Sequence, residues 1–192
     1  GDFVFVEKGG EIIPKITGVD FSKRQIDLPQ NQYITHCPDC HTELIRKEGE
    51  AQHYCPNESN CPTQVIGKIQ HFIHRKALDI NSLGDETVEL LYKQGLIHGL
   101  GDLFTLKYEQ VIALERMAEK SALNLLEGIN AAKSIPFPRV LFGLGIRYVG
   151  ETVAKKLAKH YKSIDTIAQA SIMDLVLVDE IGDKIAQSVV QF

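Results

Sequence analysis

Beyond about Thr63 the 192-residue chain repeats itself, and that repeat restricts its possible folds more than any other feature. A short unit returns four times: Ile80-Asn-Ser-Leu83-Gly84-Asp85, Leu114-Glu-Arg-Met117-Ala118-Glu119, Ile146-Arg-Tyr-Val149-Gly150-Glu151 and Val178-Asp-Glu-Ile181-Gly182-Asp183. Its shared position falls at 84, 118, 150 and 182, at spacings of 34, 32 and 32 residues. Four residues past that position stand Val88, Ala122, Ala154 and Ala186, and seven past it Leu91, Leu125, Leu157 and Val189. Those offsets lie on one face of a helix, so each unit reads as a hairpin followed by a helix.

An apolar residue and a glycine immediately before a helix leave the first backbone N–H groups unpaired and uncovered by a Cβ, which makes a ready site for a phosphate oxygen. Such a contact reads the nucleic-acid backbone and not its bases, and several in a row would follow successive phosphates of a duplex. The competing structural reading makes these glycines simple closers of αα-turns, with Asp85, Glu119, Glu151 and Asp183 serving the helix dipole. Four units in register favour the phosphate reading. The units are unequal: Ala118 replaces glycine in the second, where Arg116 also occupies a position suited to glycine, and the fourth carries Asp179 and Glu180, which should repel phosphate.

Charge points the same way. The net charge of −4 argues against bulk electrostatic coating of nucleic acid. Residues 131–163, however, carry seven lysines and arginines against Glu151 alone, a local charge of +6, whereas residues 164–192 hold five acids against Lys184. Any polyanion should therefore be felt around the third hairpin, and Arg147, Gly150, Lys155 and Lys156 are expected to grip best.

All four cysteines fall between positions 37 and 61, as Cys37-Pro-Asp-Cys40, Cys55 and Cys61. A Cys-x2-Cys knuckle with a second pair some fifteen residues on is a pattern that closes a tetrahedron around zinc. Two disulfides would need an oxidising compartment that nothing in the sequence supports. His36, His41 and His53 lie nearby, but four thiolates already complete a structural site and leave no open position for hydrolytic chemistry. The metal is expected to staple a segment too short to bury its own core.

Other features narrow the reading further. A hydrophobic content of 44% with 24% charged residues is ordinary for a globular chain. No apolar run approaches the ~20 residues of a membrane helix, and no leader is visible, so a cytoplasmic location is expected. The chain opens on the strand-like run Phe3-Val-Phe-Val6, as though cut from something longer. Gly143-Leu-Gly145 lacks the third glycine and the preceding strand of a dinucleotide loop. His71 and His74 read as ordinary helix surface. No catalytic constellation presents itself.

These residues resemble the post-catalytic portion of bacterial NAD-dependent DNA ligase over nearly the whole chain. The resemblance rests on Gly1-Asp-Phe-Val-Phe-Val-Glu-Lys-Gly-Gly-Glu-Ile-Ile-Pro14, on the Cys-Pro-Asp-Cys knuckle with Asn60-Cys-Pro-Thr-Gln64, on His71-Phe-Ile-His-Arg75 and on Arg147-Tyr-Val-Gly-Glu-Thr-Val-Ala154. It implies a mainly α, multi-domain fragment: the end of an OB-fold domain over 1–30, a four-cysteine zinc finger over 36–62 and tandem helix-hairpin-helix repeats over 63–192. It implies zinc here, with NAD and magnesium used elsewhere in the parent enzyme, whose nucleotidyltransferase lysine motif Lys-x-Asp-Gly does not occur in this sequence. The expected partners are nicked double-stranded DNA and the parent's nucleotidyltransferase and BRCT domains. The resemblance places Lys8 toward phosphate, Ile12 and Ile13 toward the minor groove, and Gly84, Gly150 and Gly182 at the hairpins, with Ala118 a departure. The rival readings are a stand-alone helix-hairpin-helix module and a zinc-stapled protein adaptor.

Overall fold

The computed structural model describes residues 1–10, 13–24 and 32–192. It divides into two compact units, Gly1–His36 and Cys37–Phe192.

In the first unit a run of β-branched and aromatic residues forms strand β1 (Val4–Gly9), which pairs antiparallel with β2 (Ile13–Val19). The register runs from Val4 opposite Val19 to Gly9 opposite Ile13, with a bulge between Phe5 and Val6 that twists the ribbon. Gly10 leaves β1 with a φ of +68°, a conformation that glycine adopts without strain. Beyond β2, the Asp20 carboxylate accepts from the Ser22 amide at 3.1 Å and caps a short 3-10 turn, Phe21–Lys23. Lys8 and Ile13 are exposed on this hairpin, and Ile12 lies outside the described residues.

The second unit holds nine helices among the described residues: α1 (Pro62–Ile73), α2 (Asp85–Lys93), α3 (Tyr108–Ile112), α4 (Glu119–Ala132), α5 (Phe137–Gly143), α6 (Glu151–Tyr161), α7 (Ile164–Ala168), α8 (Ile172–Val176) and α9 (Asp183–Gln191). Proline in the first turn starts α1 and α5, where its missing N–H costs nothing, and serine side chains cap α7 and α8. The four repeated hairpins join α1 to α2, α3 to α4, α5 to α6 and α8 to α9.

The helix face read from the repeat is the face that packs. Val88, Leu91, Ala122, Leu125, Ala154, Leu157 and Ala186 have no exposed surface, and Val189 only 8%. Each fully buried leucine of this set contributes about 1.5–3 kcal/mol. The buried residues form two cores, one built from the helices and hairpins of residues 65–132 and one from residues 141–189, so the hairpins are stored in pairs. Phe142 and Leu144 pack against both cores.

Gly143 lets the end of α5 approach α1: a Cβ there would stand 3.1 Å from Ala77 Cβ and from Phe72 Cδ2. Gly145, with a φ of +71°, turns the chain out of α5. The Gly143-Leu-Gly145 sequence thus ends a helix and follows no strand, which a dinucleotide loop would require. His71 departs from its expected surface role. It is half-buried, its Nε2 lies 3.0 Å from the Phe142 carbonyl oxygen, and its ring meets the Phe142 ring edge-on at 4.7 Å, whereas His74 is exposed.

Candidate metal centre and nucleic-acid interface

The first cysteine pair sits on a knuckle closed by local backbone bonds. The His41 amide donates to the Cys37 carbonyl at 3.0 Å and the Cys37 amide to the Thr42 carbonyl at 2.8 Å, with His41 in the left-handed region at a φ of 57°. Cys55 arrives on a second arm, held to the first by the reciprocal Ile45–Tyr54 backbone pair at 2.8 and 2.7 Å. Cys61 is the N-cap of α1, so the last thiol of the cluster is also the first residue of the helical region.

All four sulfurs lie within 4.8 Å of one another, with Cys37–Cys61 at 3.9 Å and Cys40–Cys55 at 3.5 Å. Four thiolates at about 2.3 Å from a tetrahedral zinc are about 3.8 Å apart, so the set fits that ion. It does not fit disulfides, whose sulfurs stand about 2.05 Å apart. The neighbouring histidines stay outside the cluster. The Thr42 hydroxyl and amide hold Cys40 down to about 6, while burial pushes Cys55 up to about 12. A bound divalent cation would displace the remaining protons. From α1, Thr63 donates to Asp39 at 2.6 Å and the Gln64 amide to the Cys55 carbonyl at 3.1 Å, which fastens the cluster to the helix.

The four hairpins share one backbone closure. In each, the amide before the cap residue donates back three residues: Leu83 to Ile80 at 3.1 Å, Met117 to Leu114 at 3.2 Å, Val149 to Ile146 at 3.0 Å and Ile181 to Val178 at 3.0 Å. In the last three, the second central residue of the turn is left-handed: Arg116 (φ 62°), Tyr148 (φ 66°) and Glu180 (φ 63°). In the first hairpin the equivalent Ser82 is not left-handed; the left-handed residue is Asp79 (φ 58°), just before the turn, and the Ser82 hydroxyl donates to the Asn124 carbonyl of α4 at 2.8 Å.

The cap residues show how much of the glycine pattern the fold itself requires. Gly84, Gly150 and Gly182 have φ of −90°, −78° and −87° with extended ψ, and Ala118 adopts the same conformation at φ −87°. A Cβ at any of the three glycines would meet nothing within 4 Å. Neither backbone conformation nor packing requires glycine. What glycine provides is an unobstructed first turn, whose amides have no side-chain cap at any of the four hairpins. A cleft of about 530 Å³ between α1 and the third hairpin, lined by Lys68, His71 and Tyr148, opens onto Gly150.

The charges are more interlocked than composition suggests. Lys155 is exposed on α6, but Lys156 reaches the fourth hairpin, with its Nζ 2.8 Å from Asp179 and 2.7 Å from Glu180. The acids expected to repel phosphate are therefore partly neutralised, and Lys156 holds the Asp179 carboxyl below its ordinary value. Lys76 pairs with Glu151 at 2.6 Å and lowers that carboxyl in turn. Arg147 leaves the third hairpin for the cysteine cluster: its Nη2 lies 3.2 Å from the Tyr54 hydroxyl and 3.5 Å from Glu50, and its guanidinium stands 5.0 Å from the ring centroids of Tyr54 and of Tyr148. No sequence signal marks that contact, because 97 residues separate Arg147 from Glu50.

Two family models match parts of the chain: the NAD-dependent DNA ligase C4 zinc finger domain over residues 36–62 and a helix-hairpin-helix motif over residues 139–192. Over its full length the chain is also similar to curated DNA ligases. It is 64% identical over 191 residues to that of Flavobacterium johnsoniae, 65% over 191 to that of Flavobacterium psychrophilum and 65% over 192 to that of Christiangramia forsetii. In each case it spans 29% of the relative's length. Among the described residues no helix is long and apolar enough to cross a membrane.

Proposed function

We propose that the chain is a segment of an NAD-dependent DNA ligase, the part of such an enzyme that grips duplex DNA around a nick. The parent enzyme seals the break between a 5′-phosphate and a 3′-hydroxyl in replication and repair, in the bacterial cytoplasm. NAD and magnesium serve that chemistry in the parent's nucleotidyltransferase domain, and this segment works beside that domain and the BRCT domain as a catalytically inactive clamp.

The observation that carries the reading is the set of glycine caps that the fold itself does not need. Each leaves helix-first-turn amides, at the positive end of a helix dipole, open to a phosphate oxygen. Gly84, Gly150 and Gly182 take the phosphates, and the exposed Lys155 adds direct charge. Arg147 and Lys156, each already in ion pairs, contribute mainly through their field. On the first unit Lys8 meets phosphate, and Ile13 with its neighbour Ile12 meets the minor groove. The domain assignment follows: an OB-fold remnant over 1–30, the finger over 36–62 as a structural zinc module, and the gripping repeats over 63–192.

Fluorescence anisotropy of a nicked duplex titrated with the zinc-loaded chain tests the proposal. The two charged contacts, Lys8 and Lys155, imply an affinity loss of about tenfold between 50 and 200 mM salt, while the uncharged hairpin amides add little to the salt dependence. Binding should be saturable and indifferent to base sequence. No binding at the lower salt would move the balance to the zinc-stapled adaptor.

A further inference from the structure

The Arg147 contact joins two parts of the second unit that the repeat and the cysteine pattern each describe separately. Arg147 is the first central residue of the third hairpin's turn, and Tyr148, the second, is left-handed with a φ of 66°. Arg116 and Glu180 hold the same conformation in their own turns, so what sets the third hairpin apart is the contact made by its first central residue. Here the Arg147 guanidinium lies over the rings of both Tyr148 and Tyr54, 5.0 Å from each centroid. On the other side of the contact, Tyr54 immediately precedes the zinc-ligand candidate Cys55, and its backbone is locked to Ile45 by two hydrogen bonds. Glu50 follows the tight turn at Gly49, whose φ is +78°. Contacts thus run without a break from Cys55 through Tyr54 and Glu50 to Arg147 and the turn before Gly150.

We propose that Arg147, Tyr54 and Glu50 form a brace through which the zinc finger sets the conformation of the third hairpin, so that metal retention and hairpin order are thermodynamically linked. Arg147 is thus a positioning residue. Linkage is reciprocal, so loosening the hairpin must weaken the metal site as much as losing the metal loosens the hairpin. The consequence for gripping DNA rests on the function proposed above; the brace itself does not.

The test therefore omits DNA. Zinc release from the full chain to the chromogenic chelator 4-(2-pyridylazo)resorcinol is timed for the parent and for Arg147→Ala, Arg147→Lys, Glu50→Gln and Lys120→Ala. Losing the stacked, ion-paired guanidinium should speed release about fivefold. Lysine keeps charge but not the planar fork, so Arg147→Lys should fall between parent and alanine. Glu50→Gln, a surface change that leaves the core untouched, should give about twofold. Lys120→Ala, which removes an exposed cation on α4, should match the parent. In the metal-stripped chain, amides 146–150 should exchange with deuterium faster while amides 178–182, in the same core, hold. Parent-like release from both Arg147→Ala and Glu50→Gln overturns the brace. So does equal loosening of both hairpins on metal removal. A chain that fails to bind the nicked duplex yet shows these release rates would sink the DNA-grip reading alone.

Discussion

Replacing Gly150 with alanine separates a binding role from a packing role. The backbone at Gly150 has φ −78° and ψ 179°, which alanine adopts freely, and the added Cβ would meet nothing within 4 Å. Removing glycine's freedom in the unfolded chain stabilises by about 0.4–1 kcal/mol. Glycine's advantage over alanine as an N-cap opposes this by a comparable amount, about 0.5–1 kcal/mol. The two nearly cancel, so the midpoint of thermal unfolding should move by no more than about 2 °C. DNA affinity should behave differently. On the proposed function the methyl group would stand in the path of a phosphate oxygen to the α6 amides, and a hydrogen bond to a charged group is worth about 1.5–3 kcal/mol. Loss at the low end weakens binding about tenfold. Scanning calorimetry and anisotropy on the same preparation read both quantities. Gly182→Ala should cost less, because Asp179 and Glu180 already burden that hairpin, although their pairing with Lys156 narrows the gap. A fall of 5 °C or more, roughly over 1 kcal/mol, in step with lost affinity would return Gly150 to a structural role. Unchanged affinity would remove it from the interface, and equal losses for the two glycines would overturn the ranking.

Arg116 is left-handed at φ 62°, highly exposed, and its near neighbour Glu115 is 3.8 Å away. Arg116→Gly should raise the calorimetric midpoint by about 1–3 °C over Arg116→Ala, since only glycine relieves the strain; a lower midpoint would contradict the turn geometry. Gly143→Ala forces a Cβ to 3.1 Å from Ala77 and Phe72, and the overpacking should lower the midpoint by about 3–10 °C. The Asp179 carboxyl, depressed by Lys156, stabilises the fold fully above its unfolded value, and that contribution disappears as pH falls through the folded value. Carbon-detected NMR titration should find Asp179 protonating below the ordinary aspartate range in the parent and within it in Lys156→Met. An unshifted parent carboxyl would show that the pair does not persist in solution.

What was legible from one sequence was local or periodic. The cysteine spacing anticipated a cluster that the folded chain assembles within 4.8 Å, because a knuckle and a short return arm leave four sulfurs few other arrangements. The offsets of four and seven residues past each hairpin anticipated Val88, Leu91, Ala154 and Leu157 as fully buried, because helix pitch maps sequence spacing directly onto a face. Equivalence of the four hairpins was likewise visible, and the fold gives each the same backbone closure.

Other properties depend on residues far apart in the chain that share no period. The partition of the hairpins into two cores follows from α5 settling on α1 through Gly143, a contact no single repeat encodes. Charge counting placed Arg147 and Lys156 together as free cations, but a charge count has no coordinates: one stacks against the cysteine cluster and the other neutralises the fourth hairpin. His71 looked like surface because its partner Phe142 lies 71 residues away. Sequence by itself determined the zinc-type cluster, the helix faces and the fourfold hairpin, whose physics acts over a turn or a knuckle. Tertiary structure alone decided which charges remain available and which hairpin reaches the cysteine cluster, because Coulomb energy and stacking depend on distance in space.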